Sequence, residues 1–176
     1  MSSKSKIIIL SIILPVMSFI YGIFTKQHDI FINSIYTVIC IFGFAIINKK
    51  FPVIKTGTFC SVIVFIILSL FAGRTLKIYN LIPQWDKILH FISGFILVSV
   101  GKEIFLKLNN NSINKRLMNI FAVLFAIASA GIWEIYEFSI DKILGTLAQN
   151  GSLDDTMWDI ILGTTSSIIS IIMKSR

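Results

Sequence analysis

Six long apolar stretches follow one another along the chain and are separated by short polar connections. They cover residues 6–24, 29–48, 54–73, 85–106, 116–138 and 154–173. Each can cross a bilayer, because about 20 helical residues span the hydrocarbon core. Hydrophobic residues make up 55% of the 176 residues, more than one soluble core of this size can bury. The sequence predicts an all-α membrane protein, a six-transmembrane-helix bundle that forms a single integral membrane domain over residues 1–176.

The basic residues indicate the orientation of this bundle. With a cytoplasmic N-terminus, 11 of the 16 Lys and Arg residues lie on the inner side, as the positive-inside rule requires. Those 11 are Lys4, Lys6, Lys49, Lys50, Lys55, Lys102, Lys107, Lys115, Arg116, Lys174 and Arg176. Both termini are therefore predicted to be cytoplasmic, in a plasma membrane. The net charge is +7. Because the basic residues lie between the apolar stretches, they are explained by membrane orientation, and no nucleic-acid partner is predicted.

The acidic residues have the opposite distribution. On this topology all except Glu103 lie in the outer half, and seven of those eight belong to the last three helices. The eight are Asp29, Asp86, Glu134, Glu137, Asp141, Asp154, Asp155 and Asp159. The three helices of residues 1–80 are therefore predicted to be a scaffold, and those of residues 85–173 to carry the polar motifs.

Three pairs of polar residues share helix faces. They are Asp86 with His90, Glu134 with Glu137, and Asp155 with Asp159, at spacings of three or four residues. One turn rises about 5.4 Å, which predicts an outer layer and a deeper layer. The outer layer contains Asp86, Glu137 and Asp155, and the deeper layer contains His90, Glu134 and Asp159. The uncharged part of the sixth helix, residues 160–173, is too short to span alone, so Asp159 is predicted to be submerged.

Part of this pattern has a structural alternative. Asp86 follows Pro83 at a helix start, and Asp155 follows Ser152 in an S-x-x-D pattern, so both acids could simply complement a helix N-terminus. Asp141 could lie on a solvated face of a helix that ends at Gly145. His90, Glu134 and Asp159 have no such capping role. Charges inside a membrane usually face one another, a metal or water.

Carboxylates with one imidazole suit several functions. The candidate ligands of a divalent metal ion such as Mg²⁺, Mn²⁺ or Zn²⁺ are Asp86, His90, Glu134, Glu137, Asp155 and Asp159. His90 and Glu134 could act as catalytic acid and base on a lipid or cell-envelope substrate. Alternatives are an ion or small-solute transporter and a non-catalytic membrane subunit with a buried polar network. The sequence leaves open the oligomeric state and whether the protein is an enzyme.

Three motifs resemble a known family in order and spacing. W-D-K-x-x-H-F at 85–91, G-x-W-E-I-Y-E-F at 131–138 and D-T-M-W-D-I-I at 155–161 are similar to the YjdF family of bacterial inner-membrane proteins, a domain of unknown function. A more distant similarity to VanZ-like membrane proteins rests on the D-K-x-x-H element. The resemblance implies a multi-helix bacterial membrane protein and supplies no reaction. After Asp159 the family often has a Gly-Ala pair, where this chain has Gly163, Thr164, Thr165 and Ser166.

Overall fold

The computed structural model describes residues 2–110, 114–145, 148–149 and 152–174, and every regular element within these ranges is a helix. Six of the described helices are long and apolar enough to cross a membrane. They are Ser3–Phe24, His28–Lys50, Thr56–Thr75, Trp85–Leu108, Lys115–Ile143 and Leu153–Met173. The predicted all-α membrane fold with six spans is confirmed. The largest difference is at the fifth helix, which was predicted to end at 138 and continues to Leu144.

The chain divides into two compact units, Met1–Trp85 and Asp86–Arg176. The first unit contains α1 (Ser3–Phe24), α2 (His28–Lys50), α3 (Thr56–Ile66) and the short α4 (Ile78–Leu81). Ile41, Phe59 and Ile63 form its apolar core and are each at most 1% exposed. The third span is irregular, since α3 continues as a π-helical stretch over Ile67–Thr75. The sequence pattern did not predict this change of helix type.

The second unit consists of three long helices. They are α5 (Trp85–Leu108), α6 (Lys115–Leu144) and α7 (Leu153–Lys174). Val98 of α5 packs with Ala122 and Ala126 of α6 in a fully buried cluster. At Gly101 of α5 an added Cβ would lie 3.0 Å from the Ala122 Cα. The small residues of α6 therefore serve close packing against α5, as in other membrane helix pairs.

Gly94 brings α5 and α7 into main-chain proximity. A Cβ atom at this position would overlap the Ser166 hydroxyl and the Gly163 carbonyl oxygen of α7. Ser166 is fully buried, and its hydroxyl donates back to the Gly163 carbonyl at 3.1 Å. The Gly163 to Ser166 stretch, which departs from the resembled family, is thus part of a helix contact. This contact lies one helical turn below His90, so it sets the distance between the polar residues of α5 and α7.

Gly94→Ala is expected to lower the free energy of unfolding by about 1–3 kcal/mol, because the added methyl group overpacks the α5–α7 contact. The measurement is the thermal unfolding midpoint of the detergent-purified protein. Gly43→Ala on α2 is the matched control, since an added Cβ there meets no atom within 4 Å. The control should be neutral or stabilising, because alanine favours a helix over glycine. Equal midpoints for the two variants would contradict the close approach.

Candidate functional site

Four polar side chains from three helices converge in the second unit. Asp86 and His90 come from α5, Glu134 from α6 and Asp159 from α7. His90 is 8% exposed, Glu134 is 4% exposed and Asp159 is 1% exposed. The three residues for which the sequence offered no capping role are therefore all buried, on helices apolar enough to span a membrane.

The group is compact around the imidazole of His90. One ligand atom each from Asp86, His90 and Asp159 lies within 4.8 Å of the other two. His90 Nε2 lies 3.9 Å from Asp86 Oδ1 and 3.8 Å from Glu134 Oε1. The side chain of Asp86, which the sequence placed in the outer layer, thus reaches the residues of the deeper layer. The reason is geometric, since side chains four residues apart on a helix lie over one another and can meet.

Asp155 forms an ion pair with Lys87 that the sequence pattern did not predict. Its Oδ1 accepts a hydrogen bond from Lys87 Nζ at 2.6 Å, which joins α7 to α5. The Asp155 main-chain N–H approaches the Ser152 hydroxyl at 3.4 Å, the amide half of the capping pattern expected from the sequence. Lys87 and Asp155 thus form an ion pair beside the group around His90.

Glu137 and Asp141 continue the acidic stripe of α6 beyond Glu134. Glu137 is buried, with 6% of its surface exposed, and lies outside the set of Asp86, His90 and Asp159 whose ligand atoms meet. Asp141 accepts hydrogen bonds from the main-chain N–H groups of Ala148 at 2.7 Å and Gln149 at 3.0 Å. Asp141 therefore holds the chain after α6, which ends at Gly145 in the left-handed conformation with φ 67°.

Gln149 and Thr156 belong to the site and were missed by the sequence reasoning. Gln149 Nε2 donates to the main-chain oxygen of Glu134 at 3.3 Å and to the Thr156 hydroxyl at 3.0 Å. The amide thereby joins the C-terminal half of α6 to the start of α7. Gln149 lies in a connection without helical periodicity, so no spacing could have indicated it. Thr156 stands between Asp155 and Asp159 in the D-T-M-W-D motif. Its place in this motif could have indicated that it belongs to the site.

Several buried carboxylate oxygens at this site have no hydrogen-bond partner among the described residues. They are both oxygens of Glu134 and Oδ1 of Asp159. Such atoms are rare in folded proteins, because an unsatisfied buried charge is costly. Gln149 Nε2 and the Thr156 hydroxyl face the Glu134 carboxylate, but neither lies within hydrogen-bond distance of its oxygens. Lys87 pairs with Asp155. The described side chains around His90 thus supply fewer donors and positive charges than the carboxylates need.

The donor set fits a divalent cation. Imidazole and carboxylate are ordinary ligands of Zn²⁺ and Mn²⁺. Ligand atoms at about 2.1 Å from a tetrahedral zinc lie about 3.4 Å from one another. The observed separations of up to 4.8 Å exceed this by about 1.4 Å, which side-chain rotation would have to close on metal binding. Asp86, His90 and Asp159 would hold the ion, with Glu134 beside His90.

Asp159→Asn is expected to raise the thermal unfolding midpoint in the presence of a chelator. The substitution keeps the side-chain shape and removes a buried charge, a change of about 1–3 kcal/mol. Asp154→Asn is the matched control, because Asp154 lies on the same helix and is exposed. It should change stability by less than about 0.5 kcal/mol. A lower midpoint for Asp159→Asn would mean that its carboxylate stabilises the fold by itself.

The model of a family described as predicted membrane protein (DUF2238) matches residues 6–176. An uncharacterized protein of Thermotoga maritima is 37% identical over 89 residues, which are 51% of this chain and 46% of that protein. The matched region is thus about half of each chain. No solved structure matches. Since the family model covers nearly all residues, the chain belongs to the predicted membrane protein family DUF2238.

Proposed function

We propose that Asp86, His90 and Asp159 bind one divalent metal ion inside the membrane-spanning part of the protein. The observation that carries this proposal is the convergence of three ligand atoms from two helices within 4.8 Å. An unpartnered, fully buried carboxylate oxygen of Asp159 belongs to the same group. A divalent ion would add positive charge beside Asp86 and Asp159, because the adjacent cation, Lys87, forms its ion pair with Asp155.

A purely structural network is the competing interpretation, and the bonding of the group argues against it. In a polar network that stabilises a core, each polar group has hydrogen-bond partners, because a network with unpaired groups is less stable than apolar packing. Here Glu134 and Asp159 bury oxygens without donors. Keeping such groups costs stability, a pattern typical of sites whose residues serve a ligand.

The chemistry that follows is hydrolysis or acyl transfer on a lipid or cell-envelope substrate. A bound divalent ion supplies Lewis acidity, which polarises a carbonyl or phosphoryl oxygen. Glu134 Oε1 lies 3.8 Å from His90 Nε2, where its carboxylate would take a proton from the attacking water or alcohol and return it to the leaving oxygen. Glu134 is accordingly the residue proposed to move the proton, since His90 is proposed to hold the metal.

We also propose a narrower family and a cellular location for this chain. The motifs at 85–91, 131–138 and 155–161 support the YjdF family within DUF2238, and the D-K-x-x-H element supports a distant relation to VanZ-like proteins. The distribution of Lys and Arg supports a bacterial plasma membrane with both termini cytoplasmic. Labelling of a Gln84→Cys variant, without Cys40 and Cys60, by an impermeant thiol reagent on intact cells tests this orientation.

Purified wild-type protein is expected to bind one equivalent of Zn²⁺ or Mn²⁺, measured by equilibrium dialysis and elemental analysis. His90→Ala should weaken binding by more than about 100-fold, because loss of even an outer partner of a metal site costs about 10- to 100-fold. Asp159→Asn should weaken binding in the same direction, since a neutral amide is a poorer ligand for a divalent cation than a carboxylate.

The chain offers a matched control for this experiment. His28 is its other histidine and lies exposed at the start of α2, away from the second unit in sequence. His28→Ala should bind metal as wild type does. Absence of bound metal in wild-type protein would end the metal proposal, and equal loss in both histidine variants would show that binding is not at His90.

A further inference from the structure

An open cleft runs between the outer end of α6 and the start of α7. Its volume is about 790 Å³, within the range of about 300–1,000 Å³ that is usual for small-molecule sites. Glu134 lines this cleft together with Gln149 and Thr156, and its apolar walls come from both helices. The cleft thus adjoins the group around His90, because Glu134 belongs to both.

Glu134 gives the cleft a polar end that needs a donor. The residue is 4% exposed, and neither carboxylate oxygen has a partner within hydrogen-bond distance among the described residues, although Gln149 and Thr156 face it. His90 Nε2 lies 3.8 Å from Glu134 Oε1. A buried carboxylate in this state is best satisfied by a ligand group that donates hydrogen bonds.

The other walls of the cleft are apolar and face outward. Ile135 is 67% exposed, Phe138 is 51% exposed and Leu153 is 76% exposed. All three lie on helices apolar enough to cross a membrane, where such side chains face lipid tails. An occupant that enters between α6 and α7 can therefore keep its apolar part against these residues and in the bilayer.

The charges around the cleft select the polar end of the occupant. Glu134 and Asp141 both line it, whereas its basic residue, Lys142, lies over the Phe138 ring at 5.5 Å. An anionic head group next to Glu134 would face like charge. A neutral hydroxyl or a cationic amine would instead donate to the carboxylate.

We infer that the cleft between α6 and α7 binds a membrane amphiphile whose hydroxyl or amino head group donates a hydrogen bond to Glu134. This inference rests on the proposed function, since it names the class of substrate that the site around His90 would receive. It also gives the route of entry, which is lateral from the bilayer. Anionic phospholipids without a donor at this position are excluded from the class.

Photo-crosslinking in phosphatidylcholine nanodiscs tests the inference. Three diazirine-bearing lipids are used as trace probes: diacylglycerol with a hydroxyl, phosphatidylethanolamine with an amine, and phosphatidylcholine without a donor. Labelling of Ile135, Phe138 and Leu153 is mapped by mass spectrometry. At least one donor probe should label these residues about fivefold more than phosphatidylcholine, the factor that one net hydrogen bond contributes. Which donor probe is enriched distinguishes an alcohol from an amine.

Two variants identify the cleft as the labelled site. Gly131 lines the cleft, and a Cβ there meets no atom within 4 Å, so Gly131→Phe should fill the space and abolish the enrichment. Gly43→Phe on α2 is the matched control, with equally open surroundings, and should keep it. Glu134→Leu should leave general labelling but reduce the ratio of donor to phosphatidylcholine labelling to about one. Equal labelling by all three probes in wild type, or unchanged enrichment in Gly131→Phe, would overturn the inference.

The labelling and metal-binding experiments distinguish failure of the amphiphile inference from failure of the metal proposal. Gly131→Phe leaves Asp86, His90 and Asp159 unchanged and should bind Zn²⁺ as wild type does. Enriched labelling without bound metal would retain the amphiphile site and remove the metal. Bound metal with equal labelling by the three probes would retain the metal and remove the amphiphile.

Discussion

The interaction on which this structure depends is the burial of several carboxylates around one imidazole in a largely apolar chain. Asp86, Glu134 and Asp159 meet near His90, while the adjacent cation, Lys87, pairs with Asp155. A lipid environment makes each unpaired charge expensive, since no bulk water can solvate it. The group therefore lowers the stability of the protein unless protons or a metal ion neutralise the carboxylates. The metal proposal assigns this role to a divalent ion.

Close helix packing is what allows the group to be compact. Without a side chain at Gly94, α5 approaches the main chain of α7 near Gly163, and the polar residues one turn above come within reach of each other. The connection between α6 and α7 adds a second restraint, because Gln149 bonds to both helices. Rigid support of this kind holds ligand atoms at short distances even when their charges repel one another.

Much of the fold and part of the site follow from the sequence, for physical reasons. The length of each apolar stretch predicted six spans, and helical spacing placed Asp86 above His90 on one face. Spacing does not give the rotation of one helix against another, so the ion pair of Lys87 with Asp155 was not predicted. The π-helical stretch after α3 and the role of Gln149 depend on local geometry that carries no periodic signal.

X-ray absorption spectroscopy of the zinc-loaded protein tests the central claim most directly, because it reports the ligands of the metal itself. The spectrum should contain oxygen and nitrogen ligands at about 2.0–2.1 Å, with the multiple-scattering signal of a single imidazole. That imidazole signal should disappear in His90→Gln and persist in His28→Gln. A zinc ion surrounded by oxygen alone, or one whose imidazole signal survives the loss of His90, would contradict a metal site built on this group.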